Sequence, residues 1–280
     1  MKTKALSFKA ADEPLGCYNR PVKLSLVIPM RDEAEAFEAL AVALDALYAQ
    51  IRTERPDLAF RVILVDDGSQ DATRSLAQSW QQTTALPSQI LSLDPGRGLG
   101  AAISAGFDAA TKVEAEFKVE AGAKTGDRHY LATADADLAY PLPTLLPMIE
   151  KLEEGYDLVS ASPYIPGGRV EGVTGRRLWP SLAANAMHRF RFGNDKNASR
   201  CPHTFTCGFR VYRAALWPHI RPQAPGFLAT TEFMVRALKR GARVAEIPET
   251  LSTRRAGQSK MKVLRTTFSH LRFAWRGPRS

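Results

Sequence analysis

The 280-residue sequence contains no run of 18 or more apolar residues, so no segment is predicted to span a membrane as a helix. The first twenty residues also lack the apolar stretch of a secretory signal peptide, and we expect residues 1–21 to form a flexible tail. Three cysteines, an odd and small number, argue against a disulfide framework and favour a reducing, cytoplasmic setting. With 45% hydrophobic and 24% charged residues, the composition is that of a globular protein with a substantial core.

Acidic residues are in deficit, with 29 Asp and Glu against 38 Lys and Arg, which gives a net charge of +9. The positive excess lies after Gly168 and is densest after Arg254. A basic balance suits anionic partners, which include nucleic acid, phosphorylated substrates and acidic membrane surfaces. Outside the C-terminal segment, aromatic residues do not alternate with the basic ones as a base-stacking platform requires, so nucleic acid is not an expected partner.

Short apolar runs, typical of strands that are buried on both faces, alternate with segments of helical periodicity. Four of these runs occupy residues 24–28, 61–65, 89–93 and 157–161. Their alternation with helices predicts an α/β fold, with a mainly parallel sheet and helices on both faces. Ligands bind such sheets at the carboxyl ends of the strands, where we expect Glu33, Asp67 and Asp135 to gather.

Two local features can be predicted in more detail. Ser69 is a good N-cap residue, and we expect it to begin the helix that follows the second strand and runs to about Trp80. Residues 112–128 are charged and include glycine, which favours a surface insertion or loop.

The tripeptide Asp135-Ala136-Asp137 follows a strand-like run over residues 130–134. On an extended backbone, side chains two residues apart point the same way, so both carboxylates can hold one hard divalent cation. Such a cation can in turn hold a diphosphate. Because solvated loop acids often show the same spacing, the surrounding motifs decide its interpretation.

Seven motifs occur in one order along the chain: Pro29-Met-Arg-Asp-Glu33, Val65-Asp-Asp-Gly-Ser69, Gly98-Leu-Gly100, Asp135-Ala-Asp137, Tyr164-Ile-Pro-Gly-Gly168, Thr206-Cys-Gly-Phe-Arg210 and Arg254-Arg-Ala-Gly-Gln-Ser-Lys260. Together they resemble the family 2 glycosyltransferases, and within them the dolichyl-phosphate (polyprenyl-phosphate) mannose synthase-like group. The resemblance implies a GT-A fold over residues 22–256, with a mainly parallel nucleotide-binding sheet. It also implies a GDP- or UDP-linked sugar donor, Mg²⁺ or Mn²⁺ as cofactor, and transfer of a mannose- or glucose-like hexose with inversion.

The resemblance also assigns the donor side of the site residue by residue. The nucleotide-sugar pocket would be lined by Pro29, Arg31, Glu33, Val65, Asp67 and Ala136. Asp135 and Asp137 would hold the metal ion against the donor diphosphate, with Asp137 as a catalytic residue. Ala139 stands where the family usually carries a further metal ligand, so a water molecule would take that position.

The acceptor implied by the resemblance is a polyprenyl phosphate. Its oxygen is largely ionised at neutral pH and needs cations to hold it in line, not a general base. Arg177, Arg254 and Lys260 would be those cations, and Arg suits phosphate because its planar fork binds two oxygens. Pro163 replaces a further arginine that is usual in the family.

Two alternatives to this function remain open at the level of sequence. A soluble or protein hydroxyl acceptor requires a base, for which Glu232 is the candidate catalytic residue, although an acid in the first turn of a helix also simply favours the helix dipole. A catalytically weak nucleotide-sugar-binding module is the second alternative.

Residues 257–280 form a basic, amphipathic C-terminal segment. One predicted helix face carries Met261, Leu264, Phe268, Leu271 and Trp275, surrounded by lysines and arginines. This pattern is typical of a helix on the anionic, cytoplasmic face of a membrane, as a peripheral protein would use it. It is equally typical of a helix that packs its apolar face on the domain, and periodicity does not separate the two.

Overall fold

The computed structural model describes residues 22–121, 128–172, 175–193, 201–253 and 263–278. Its strands are β1 (Val22–Met30), β2 (Leu58–Asp66), β3 (Ser88–Ser92), β4 (His129–Thr133), β5 (Leu158–Ser162), β6 (Arg169–Val170), β7 (Arg210–Arg213), β8 (Val244–Pro248) and β9 (Thr250–Leu251). Its α-helices are α1 (Ala34–Glu54), α2 (Thr73–Thr83), α3 (Leu99–Ala121), α4 (Leu145–Glu153), α5 (Gly175–Phe192), α6 (Trp217–Ile220), α7 (Leu228–Lys239) and α8 (Val263–Arg276).

A seven-stranded sheet in the order β3-β2-β1-β4-β7-β5-β8 forms the centre of the fold. Neighbouring strands are parallel except for β7, which runs antiparallel between β4 and β5. The apolar strands are buried on both faces. Leu26 belongs to the core under α1, α2 and α4, and Val27 to the core under α3, α6 and α7. The prediction of a mainly parallel sheet between two layers of helices is confirmed.

Two local predictions were wrong. Residues 112–121 belong to α3 and not to a loop, because they are rich in helix-forming alanine, glutamate and lysine, and the first glycine after this stretch is Gly122. The rest of that predicted loop lies largely outside the described residues. Helix α2 begins at Thr73 and not at Ser69, since the hydroxyl of Ser69 accepts a hydrogen bond from Asp32 N at 2.9 Å.

A second, two-stranded sheet joins β6 and β9 in parallel, with Arg169 opposite Thr250. In sequence, α5 follows β6 and α8 follows β9. Because β6 and β9 are paired, the chain leaves two adjacent strands on its way to the two helices. Helices α5 and α8 then pack against each other. Within the described residues, no helix has the length and apolarity that a bilayer crossing requires. The predicted flexible tail, residues 1–21, lies outside the described residues.

Candidate active site

The carboxyl ends of β1, β2 and β4 lie at one edge of the sheet, because these three strands are adjacent and parallel. The loops that follow them carry Glu33, Asp67 and Asp135, as the sequence predicted. The first two loops are joined by hydrogen bonds. Gln70 N donates to Asp32 Oδ1 at 2.7 Å, and Glu33 N donates to the hydroxyl of Thr73 at 2.7 Å. These bonds fix the position of Glu33 at the start of α1.

Asp67 is almost fully buried, and its carboxylate organises the loop between β3 and α3. Its oxygens accept hydrogen bonds from the backbone amides of Arg97 and Gly98, at 2.5 Å for Arg97 and 2.9 and 3.0 Å for Gly98. Arg31 Nη1 lies 3.6 Å from Asp67 Oδ2, with about half of the arginine side chain exposed. A carboxylate held by several backbone donors in this way is rigidly positioned.

Asp66, the acid before Asp67, stabilises the turn that follows β2. Its Oδ1 accepts a hydrogen bond from Ser69 N at 3.0 Å, and its Oδ2 pairs with Arg74 Nε at 2.7 Å. Because Asp66 accepts the hydrogen bond from the amide of Ser69 in the turn, the carboxylate of Asp67 can bind the amides of the β3–α3 loop. The sequence did not distinguish the two adjacent acids.

The Gly98-Leu-Gly100 motif packs against the loop before α7. Gly98 has a φ of +95°, and a Cβ added to it would lie 2.6 Å from the carbonyl oxygen of Pro225, well inside contact distance. Gly100 N donates a hydrogen bond to the same carbonyl at 2.7 Å. Glycine at position 98 is therefore required both by the backbone conformation and by the close approach of the two loops.

Glu232 anchors that loop from the other side. The side chain is buried, and its Oε2 accepts hydrogen bonds from Gln223 N and Ala224 N, both at 2.9 Å. Its Oε1 pairs with Arg236, with Nε at 2.8 Å and Nη2 at 2.7 Å. Both carboxylate oxygens are thus engaged by donors of the protein itself. These contacts are those of a positioning residue and argue against the general-base role considered from the sequence.

Asp135 and Asp137 lie in a turn beyond β4, not on extended backbone. Asp137 is buried, and its Oδ1 accepts a hydrogen bond from Ala139 N at 3.0 Å, while Asp135 is partly exposed. A Cβ added at Gly208 would lie 3.1 Å from Asp135 Oδ1, so the glycine leaves room for this carboxylate. The turn replaces the predicted strand geometry because β4 ends at Thr133.

The carboxylates of Asp135 and Asp137 suit a divalent ion of the Mg²⁺ type. Such an ion prefers oxygen ligands, keeps several waters, and is commonly bound by one or two carboxylates together with substrate phosphates. Among the residues that the structure describes, no cluster of three or more His, Cys, Asp or Glu side chains forms a complete metal site. The two carboxylates therefore fit an ion that takes most of its ligands from a substrate and water.

The Thr206-Cys-Gly-Phe-Arg210 motif contributes structure around the carboxylates. Arg210 is fully buried, and its guanidinium donates to the backbone carbonyls of Phe205, at 2.7 Å, and Thr230. It thereby ties the segment before Gly208 to the first turn of α7. Burial raises the pKa of the neighbouring Cys207 thiol, so this cysteine is neutral at physiological pH.

Other residues predicted to line the donor pocket expose little of their side chains. The side chain of Val65 is fully buried in the core, and that of Ala136 is nearly so. Pro29 lies in β1 opposite Val65 and is partly buried.

Of the three basic residues predicted to bind the acceptor phosphate, only Arg177 lies in the part of the chain that the structure describes. Arg177 belongs to the first turn of α5, but its side chain is not described, and Arg254 and Lys260 lie outside the described residues. A Cβ added at Gly172 would lie 3.0 Å from Cγ2 of Thr253, the residue before Arg254. The chain segments that carry Arg177 and Arg254 therefore start from one place beside the β6–β9 pair.

Helix α5 connects two of the motifs on this side. The hydroxyl of Ser181 lies 3.2 Å from the hydroxyl of Tyr164 and 3.1 Å from that of Thr206. Asn185 Oδ1 accepts a hydrogen bond from Phe205 N at 2.8 Å. Sequence reasoning missed Asn185, a buried polar side chain outside every motif, because its partners Phe205 and Thr206 are about twenty residues away in sequence.

Comparison with known proteins shows the family of the chain. Residues 25–217 match the family model described as glycosyl transferase family 2. Polyprenol monophosphomannose synthase of Mycolicibacterium smegmatis is 30% identical over 246 residues, which cover 86% of this chain and 82% of that protein. Dolichol-phosphate mannosyltransferase of Pyrococcus furiosus is 26% identical over 91% of this chain, which spans only 63% of that relative.

A structural neighbour is glucosyl-3-phosphoglycerate synthase of Mycobacterium tuberculosis, solved with Mn²⁺, UDP and glucosyl-3-phosphoglycerate. It superposes with a TM-score of 0.60 at 19% identity, over 94% of this chain and 82% of that one. At this identity the likeness shows the fold alone, and that fold is GT-A. With the family match, it establishes that the chain belongs to glycosyl transferase family 2.

Proposed function

We propose that this protein transfers a hexose from a GDP- or UDP-linked donor to a polyprenyl phosphate, with inversion at the anomeric carbon. The observation that carries the proposal is the constellation at the sheet edge. There Asp135 and Asp137 follow β4, Gly208 leaves room for the Asp135 carboxylate, and Asp67 holds the loop before α3 in place. The names of the two curated relatives support the choice of a polyprenyl-type phosphate acceptor and of mannose.

In the proposed reaction, a phosphate oxygen of the acceptor attacks the anomeric carbon. The bond from that carbon to the donor diphosphate breaks, and the nucleoside diphosphate leaves with the bonding electrons. No proton has to move, because a phosphate monoester is largely ionised at neutral pH. The protein's task is to position both substrates and to stabilise the charge that builds up on the leaving group.

The residues divide this task between the two substrates. Asp135 and Asp137 are the side chains that would hold the divalent ion, and a bound Mg²⁺ or Mn²⁺ ion supplies neutralising charge at the diphosphate. The loop fixed by Asp67 forms the wall against which the nucleoside lies. The guanidinium of Arg177 and the basic groups of Arg254 and Lys260 would orient the acceptor phosphate.

A soluble hydroxyl acceptor is less well supported. It needs a base with a free oxygen near the substrate. Glu232 is buried, and both of its oxygens already accept hydrogen bonds from backbone amides and Arg236. The lipid phosphate needs no such base, which is why it is the acceptor that this geometry favours.

Calorimetry followed by a transfer assay tests the proposal. Binding of GDP or UDP should require Mn²⁺ or Mg²⁺, and one nucleotide should bind more tightly. A panel of nucleotide sugars with a short-chain polyprenyl phosphate should then yield a glycosyl phospholipid. Metal-independent binding, or transfer to a free hydroxyl acceptor in preference to the phosphate, would overturn the proposed function.

A further inference from the structure

The apolar stripe of α8 faces away from the protein. Phe268 and Trp275 are 68% and 87% exposed, and Leu271 between them is also exposed. The helix is attached to the domain by its opposite face, on which His270 and Phe273 are buried. The sequence left open whether this stripe packs on the domain or faces outward. In the described part of the helix, the stripe faces outward.

Helix α5 presents a second apolar stripe that the sequence analysis did not identify. Trp179 is 72% exposed and Phe190 is 82% exposed, and Ala183 and Ala186 between them are exposed as well. The positions are spaced i, i+4, i+7 and i+11, so they share one helix face. The opposite face docks on the domain through Asn185.

The two helices form one preassembled unit. His188 Nε2 of α5 lies 2.9 Å from His270 Nδ1 of α8, with both rings buried. Phe192 and Phe273 extend the same seam, with ring centroids 5.8 Å apart. The exposed stripes therefore belong to a fixed surface, the α5–α8 face, defined by Trp179, Phe190, Phe268, Leu271 and Trp275.

The charge on these two helices has a single sign. Neither α5 nor α8 contains an Asp or Glu, while α5 carries four arginines (176, 177, 189 and 191) and α8 carries three (265, 272 and 276). Those at 189, 191, 272 and 276 are exposed. Exposed Trp and Phe side chains flanked by arginine are the combination that binds the boundary between headgroups and acyl chains of an anionic bilayer.

From these observations we propose that the α5–α8 face docks on an anionic phospholipid surface. The aromatic side chains enter the interface and the arginines contact lipid phosphates. Charge complementarity selects this partner, since a second copy of the chain would bring like-charged helices together. The idea of a lipid-linked acceptor rests on the proposed function, but the docking itself does not.

Docking places the acceptor side of the site near the lipid. Arg177, one of the residues proposed to orient the acceptor phosphate, belongs to the first turn of α5, one of the two docking helices.

Tryptophan fluorescence with vesicles tests the docking directly. Of the four tryptophans, Trp80 and Trp217 are buried, so a change in emission reports on Trp179 and Trp275. Vesicles with roughly 30% phosphatidylglycerol should shift the emission to the blue, and brominated lipid should quench it, whereas pure phosphatidylcholine should act weakly. No blue shift with anionic vesicles, or an equal shift with neutral ones, would overturn the proposal.

A variant with alanine at positions 179, 190, 268 and 275 should sediment with anionic vesicles at least about tenfold less well. The control replaces Val42 and Leu76, exposed apolar residues of α1 and α2, by alanine and should bind as the wild type does. If the four-residue variant still binds fully, the proposal is wrong. A third outcome is that the wild type does not bind vesicles but forms a dimer in ultracentrifugation, and that the four-residue variant is a monomer. In that case the α5–α8 face is an interface between two copies of the chain, and the proposal is wrong.

Turnover of a short, water-soluble polyprenyl phosphate separates this proposal from the proposed function. The four-residue variant should keep that turnover while it loses vesicle binding and the use of long-chain acceptor in vesicles. Vesicle binding by a wild-type protein without any turnover would refute the proposed function alone. Intact turnover without vesicle binding by the wild type would refute the docking alone.

Discussion

The sheet-edge site and the α5–α8 face, which we propose to be the donor side and the acceptor side, are built in opposite ways. On the donor side, buried carboxylates point inward and bind backbone amides: Asp67 holds the loop before α3, and Glu232 holds the loop before α7. On the acceptor side, α5 and α8 turn Trp179, Trp275 and other aromatic side chains to solvent. The carboxylates of the donor side are hydrogen-bonded within the protein, whereas the aromatic side chains of α5 and α8 are exposed and available to a partner.

This difference has a physical reason. A nucleotide sugar is small and diffusible, so its pocket must be preorganised by the protein, and charged hydrogen bonds in a buried site supply the rigidity. A polyprenyl phosphate remains in its bilayer, so the protein must present a surface to it and not an enclosed pocket. The comparison therefore predicts that donor-side substitutions change turnover, whereas acceptor-face substitutions change localisation to lipid.

The largest expected effect is at the centre of the donor side. Asp137→Ala removes a buried carboxylate that would hold the metal ion, and we expect donor turnover to fall by about 100-fold or more. Steady-state kinetics with donor and metal measure it. Glu38→Ala, an exposed acid on α1, is the control and should be neutral. Normal turnover in Asp137→Ala would show that the metal assignment is wrong.

A smaller effect is expected where two donor-side loops touch. Gly98→Ala strains a residue with a φ of +95° and forces its Cβ against Pro225 O, so we expect about 1–3 kcal/mol lower stability and a raised donor KM. Gly241→Ala is the matched control, since its φ is +78° but no atom lies within 4 Å of the added Cβ. If both variants raise the donor KM equally, the contact of Gly98 with Pro225 O does not affect donor binding, and the prediction is wrong.

Glu232→Gln distinguishes a positioning residue from a general base. Replacing the charge weakens the bonds to Gln223 N, Ala224 N and Arg236, so we expect about 2 kcal/mol lower stability and a severalfold higher donor KM. The pH profile of kcat should not change. A fall of kcat by about 100-fold or more with unchanged donor KM would instead support the base, and with it a hydroxyl acceptor.

The acceptor side has its own, milder signature in pH. Burial lowers the pKa of His188 to about 3, with a further contribution from His270, and burial lowers the pKa of His270 to about 4. Both are neutral in the fold and gain protons on unfolding below pH 6.5. Stability is therefore full above that pH and declines below it, by about 1.4 kcal/mol for each histidine at pH 5.5.

Chemical denaturation at pH 7.5 and pH 5.5 measures this decline. The variant with glutamine at position 188 and asparagine at position 270 keeps hydrogen-bonding groups near the original nitrogens but does not titrate. Its unfolding free energy should fall less between the two pH values than that of the wild type. Equal declines would show that the histidine pair does not couple the α5–α8 face to pH.

Sequence predicted the strands of the main sheet, most helices and the sheet edge at which the strands before Asp67 and Asp135 end, because these follow from apolar runs and from the geometry of parallel sheets. It did not predict the extension of α3, the turn at Asp137 or the inward role of Glu232. The first depends on local helix propensity that the charged composition obscured, the second on where β4 ends, and the third on the backbone amides that Glu232 meets in the fold. The outward stripe on α5 was missed for a related reason, since periodicity describes a face but not the direction in which it points.

The proposed transfer is tested most directly by the configuration of its product. The wild-type protein is incubated with Mn²⁺, the nucleotide sugar it binds and a polyprenyl phosphate, and the anomeric configuration of the glycosyl lipid is determined by NMR. We expect a glycosyl phospholipid whose configuration is inverted relative to the donor. Turnover of the donor to free sugar only, or a product of retained configuration, would contradict the account.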